Sequence, residues 1–188
     1  FFLIFLCFFG HGCSFHSNQL ERLKTIFQED SGPEPQWVFS WGDISEEVFA
    51  VNAGSSIFFA NSDGILVHFN GSFVEKIKGV RLNSRTEMDI SITKTKLDGS
   101  EVFSYRGATS DLGDLLCDSP NESVKNLALE VGNMQVIEIT QKCVSDNRLV
   151  EQNITLNHMR QLMAMQFFVH PAREPVTIRY RQIKELSM

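Results

Sequence analysis

Clusters of basic residues are absent from this chain. Its 17 Lys and Arg are outnumbered by 23 Asp and Glu, for a net charge of −6. The basic residues are scattered, so the electrostatic footprint of a nucleic-acid binder is missing, and the mildly acidic surface argues solubility. No nucleophile elbow, HExxH helix, P-loop or dinucleotide fingerprint occurs. We therefore expect neither enzymatic activity nor a cofactor. Cysteine is scarce, at four residues with no CxxC and no nearby His pair, so no metal site is expected. The histidines are His11, His16, His68, His158 and His170. None stands beside a nucleophile, and His68 fits a strand end better than a catalytic base. Tyr and Trp number two each against sixteen Phe, a balance that suits aromatic strands packing on one another.

One long apolar run is present, Phe1–Phe9, ending at Gly10-His11-Gly12-Cys13. It is shorter than the ~20 residues of a spanning helix and fits the apolar region of a secretory signal. The first residue is Phe rather than Met, so a basic leader segment is expected upstream. Two processing readings stand. Small residues at Gly10 and Gly12 suit signal peptidase cutting before Cys13. Alternatively Gly12-Cys13-Ser14 is similar to a bacterial lipobox, with Cys13 lipidated, although Gly10 stands where a Leu-like residue is usual.

The expected organisation is a signal over residues 1–12, a tether over 13–35 and one domain over 36–188. In the tether Asn18 and Glu21 cap a short helix with Leu20, Leu23 and Phe27 on one face. Export leaves Cys117 and Cys143 as a single disulfide pair, closing a loop of about 25 residues.

The remaining chain is strand grammar. Ile57–Ala60, Ile65–Phe69 and Phe73–Ile77 are separated by Asp63-Gly64 and Asn70-Gly71. Both dipeptides suit two-residue type I′ turns, whose central residues need φ > 0. Asp98-Gly99 joins the alternating segments Glu87–Leu97 and Glu101–Arg106, and Gly132-Asn133 joins Lys125–Val131 to Met134–Lys142. Arg148–Leu156 and Val176–Ile183 alternate as well. Met159–His170 is helical at its front or strand-like throughout. Gly107–Ser123 looks like a solvated loop with one helical turn at Leu112, Leu115 and Leu116. Its Asp111, Asp114 and Asp118 are read as loop carboxylates rather than acid–base or calcium groups. Trp37, Phe39 and Trp41 share one strand face. Such a row packs a core or, as glycan contacts through Trp37 and Trp41, stacks on sugar rings; core packing is the expectation. Ten or more short strands predict an all-β antiparallel meander, forming a sandwich or a curled, partly open barrel with one short N-terminal helix.

With its Gly12-Cys13 export run and helical spacer, FFANSDGILVHFNGSFVEKIKGV (58–80) and MQFFVHPAREPVTIRYRQIKE (165–185), the chain resembles the YjbF/GfcB-like lipoproteins encoded with bacterial exopolysaccharide and group 4 capsule clusters. The match lies in the Asn-Gly turn, the return through Val74, Gly79 and Val80, the aromatic Phe167-Phe168, Pro171 and the final Val176–Ile178. Ser72 stands where that family often has Arg, and its Trp-rich strand before the closing segment is not evident here. The resemblance implies an exported, non-enzymatic protein linked to polysaccharide secretion, lipidated at Cys13. Ser14 after that Cys would not retain it at the inner membrane, so the periplasmic side of the outer membrane is expected. The implied partners are that membrane and polysaccharide or polysaccharide-export proteins. The alternative is a secreted β-barrel binding a small apolar ligand or lipid between its Phe-rich strands.

Overall fold

Apolar and polar residues alternate along most of the chain, and each alternating stretch is a strand. The computed structural model describes residues 36–82, 86–108, 110–129, 132–145, 148–169 and 174–183. The expected signal, Cys13, the tether helix and His170 lie outside the described residues. In chain order the strands are β1 (Trp37–Trp41), β2 (Ile44–Ala53), β3 (Ser56–Ala60), β4 (Leu66–Phe69) and β5 (Val74–Leu82). Next come β6 (Thr86–Leu97), β7 (Ser100–Gly107), β8 (Asp111–Cys117) and β9 (Asn121–Leu129). The last four are β10 (Gly132–Ser145), β11 (Arg148–Leu156), β12 (Leu162–Phe167) and β13 (Val176–Tyr180).

Neither a sandwich nor a partly open barrel is formed. Every neighbouring pair is antiparallel, and the sheet closes because β10 pairs with both β8 and β11 while β1 pairs with β13. Twelve strands make a closed barrel and β9 is an extra strand outside the ring. Period-two patterning marks one buried face and is silent about whether that face meets a second sheet or its own far side. Closure removes the edges that an open sheet would leave unpaired.

The ring is thinnest at one seam. β8 and β9 follow each other along the same edge of β10. β9 takes residues 132–140, leaving β8 only Cys117↔Cys143 and Leu116↔Val144. The Asp118 N–H adds a bond to the Lys142 carbonyl at 2.9 Å. Cys117 and Cys143, directly opposite, form a disulfide across this seam.

Two segments depart from the sequence reading. Residues 111–117 are a strand, not a loop with a helical turn. Leu115 and Cys117 point inward, Asp114 and Leu116 lie in the outer phase, and Asp111 and Gly113 are exposed where the pairing with β7 shifts register. Of the X-Gly turns, only Asp98-Gly99 has both residues at positive φ, 48° and 86°. The others are longer loops built on asparagine. Asn61 Oδ1 accepts from the N–H groups of Asp63 and Ile65 at 3.1 and 3.0 Å. Asn70 Oδ1 accepts from those of Ser72 and Phe73 at 3.0 and 3.1 Å. Asn side chains make such local bonds readily.

The antiparallel order puts connections 54–55, 70–73, 98–99 and 157–161, with the start of β1, at one rim. Connections 42–43 and 61–65 are at the other. Most inward positions are apolar, with Phe39, Trp41, Phe59, Phe69, Phe103 and Phe167 buried. On the outer face Leu127, Val136, Ala164 and Ile183 form a smaller cluster linking the β9–β10 hairpin to β12.

Candidate functional site: the barrel interior

Eight strands make a barrel that side chains just fill, and twelve enclose more. Here the Phe-rich interior leaves a cavity of ≈ 290 Å³ at the rim of the 70–73 and 98–99 turns. Its lining draws on β4 to β7, the β8–β9 junction and β10 to β12.

Most lining positions are apolar, but some polar residues stand in the inward phase. On β6 the inward series Ile90, Ile92 ends in Lys94. On β7 Glu101 precedes Phe103 and Tyr105, and on β10 Gln141 falls between Ile139 and Cys143. These three meet. Lys94 Nζ lies 2.7 Å from Glu101 Oε1, and Gln141 Nε2 donates to Glu101 Oε2 and to the Asp118 carbonyl, both at 2.8 Å. The Lys94 ammonium also sits 5.5 Å from the ring centre of Phe103 and 5.8 Å from that of Phe73, a favourable cation–π placement. Beside them Gln152 Nε2 approaches the sulfurs of Cys143 and Cys117 at 3.3 and 3.6 Å. Tyr105 is 3% exposed, lines the cavity, and its hydroxyl has no hydrogen-bond partner among the described residues. Burial pushes its pKa up, so it stays a neutral donor.

Burial alone would raise the Glu101 carboxyl. The hydrogen bonds from Lys94 and Gln141, with the charges of Lys94 and Lys96, outweigh it and hold the pKa below the ordinary 4.5. A carboxyl so depressed binds its proton less readily folded than unfolded. Its stabilisation is present above the unfolded value and is lost as pH falls through the folded one. The urea midpoint is therefore expected to drop on acidification below 4.5, and Glu101→Gln to flatten that drop. Near neutral pH the variant loses about 1–3 kcal/mol, because Lys94 keeps a charge without its partner. Identical acid slopes in the two proteins would remove Glu101 as the source.

The residues singled out from sequence are dispersed. Trp41 is buried inside the barrel, and half-buried Trp37 lies edge-on to Phe59 at 5.0 Å and to Tyr180 at 5.7 Å. His68 stacks on Phe58 at 4.4 Å with Nδ1 3.2 Å from Glu75. His158, Asp111, Asp114 and Asp118 are exposed, and Asp111 accepts the Gly113 N–H at 3.0 Å within its own strand. Among the described residues no group of three or more His, Cys, Asp or Glu is placed to hold a metal ion. Lys94, Glu101, Tyr105 and Gln141 went unnoticed in the sequence. Their signal was a polar residue in the apolar phase of an alternating strand.

No protein-family model matches the chain, and no curated protein matches it in sequence. A solved structure does: the crystal structure of the hypothetical lipoprotein YmcC from Escherichia coli K12, at 10% identity and a TM-score of 0.54. The match covers 87% of this chain and 89% of that one. The chain shares the fold of YmcC. At 10% identity the likeness is one of fold, and it extends over nearly the whole of both chains.

Proposed function

We propose that this is an exported lipoprotein, held by a lipid on Cys13 at the periplasmic side of the outer membrane. Its role is accessory and non-catalytic, in capsule or exopolysaccharide secretion. The observation that carries the reading is the meeting of two independent features. The sequence places a Cys four residues after an apolar export-like run, behind Gly10-His11-Gly12, and the barrel shares its fold with YmcC, a protein described as a hypothetical lipoprotein. The capsule and exopolysaccharide part rests on the sequence resemblance through residues 58–80 and 165–185. Within this reading the barrel serves as a rigid body contacting polysaccharide or its export proteins.

Radioactive palmitate fed to cells is expected to label the wild-type chain and not Cys13→Ala. Equal labelling of the two would sink the anchoring claim. Deleting the gene is expected to reduce surface polysaccharide while intracellular synthesis continues, with rescue by the wild type only. Rescue to full level by Cys13→Ala would show that the lipid is dispensable to the role.

A further inference from the structure

We infer that the barrel cavity binds the alkyl chain of a neutral, single-chain amphiphile, with Tyr105 hydrogen-bonding an uncharged hydroxyl or amide head. This sharpens the alternative of a small apolar ligand or lipid. It belongs to the barrel alone and stands whether or not Cys13 carries a lipid.

Size comes first. A cavity of ≈ 290 Å³ equals about ten water volumes of about 30 Å³, room for a chain of roughly eight to ten carbons with a small head. A two-chain phospholipid does not fit. The walls supply the chain's environment through Ile92, Phe103, Ile139, Ile154, Met165 and Phe167. An alkyl chain there gives these groups the dispersion contacts that they do not find in one another.

Charge decides the head. Lys94 and Glu101 neutralise each other at 2.7 Å, and the Gln141 amide donates to both Glu101 and the Asp118 carbonyl. An anionic head would face Glu101 without a free cation, and a cationic head would face Lys94 without a free anion. Either would be desolvated with no new partner, which is costly. Of the other polar residues at the cavity, Ser72 bonds Asn70, Glu122 bonds Arg160 and the Gln152 amide faces the disulfide sulfurs, whereas the hydroxyl of Tyr105, a residue 3% exposed, makes no hydrogen bond among the described residues. It can donate to one neutral oxygen.

The test uses the full chain and a decanol carrying a diazirine within its alkyl chain. After photolysis, peptide mapping is expected to find adducts on cavity residues such as Ile92, Phe103 and Ile154. Excess 1-decanol should suppress them, while equal concentrations of decanoate or decylammonium should do so at least tenfold less well. Tyr105→Phe, a one-atom change that keeps the ring, should weaken labelling about fivefold to tenfold. Adducts confined to the outer face or to residues 1–9 would overturn the site. Equal competition by all three decyl compounds would overturn the neutral head, and wild-type labelling of Tyr105→Phe would overturn its anchor.

Discussion

Gly79→Ala is expected to cost about 2–5 kcal/mol, from left-handed backbone strain together with overpacking. Gly79 has φ +74° at the bulge of β5, where the register shifts between Ile77 and Val80. A Cβ there would lie 1.9 Å from the Gly64 carbonyl oxygen and 2.5 Å from its carbon. Both are backbone atoms of the 61–65 loop, so no rotamer change relieves the clash. Gly99→Ala is the control. Its φ is +86° but no atom lies within 4 Å of the added methyl, so only the conformational term remains, about 1–2 kcal/mol. Thermal or urea unfolding of the two variants checks this. Equal losses would mean that the approach of β5 to the 61–65 loop carries no weight.

The second large effect is at the seam. Replacing Cys117 and Cys143 together by alanine is expected to cost about 3 kcal/mol in the loop-entropy model. For a chain of this size that is a fall in Tm of roughly 6–12 °C. The location adds a signature that loop entropy alone does not predict. β8 and β10 share only two residue pairs, so the loss should appear locally. Amide exchange should accelerate at residues 115–118 and 142–144 well before it does in the β2–β3 or β6–β7 hairpins. Uniform acceleration across the barrel would mean that the disulfide acts only on the unfolded chain.

Much of the barrel was legible one hairpin at a time. Glu87–Leu97 and the return from Glu101 announce themselves by alternation around a true type I′ turn at Asp98-Gly99, because all the information lies within about twenty residues. The ring was not legible. The Cys117–Cys143 pair is the disulfide expected from the cysteine count, but closure also depends on Trp37 meeting Tyr180 in register, and local pattern does not encode so distant a pairing. β8 was hidden for a different reason. Its exposed positions include Asp111, Gly113 and Asp114, the residues of a solvated loop, and Leu112, Leu115 and Leu116 mimic helical spacing. The cavity residues were hidden by their company. Lys94 follows Thr93 and precedes Thr95, so it looks like one more polar surface position. Only the inward phase set by Ile90 and Ile92 distinguishes it.

The pairing of β1 with β13 also orders events in time. β1 is the first strand of the ring and its second partner is the last, so the barrel cannot close until residues 176–180 are available. Hairpins such as β3–β4 and β6–β7 can form while the chain is still emerging. The outer edge of β1 must wait exposed, a long loop closure that slows folding and leaves a strand open to wrong partners. Truncation a few residues into β13 should therefore act on folding yield far more than its length suggests.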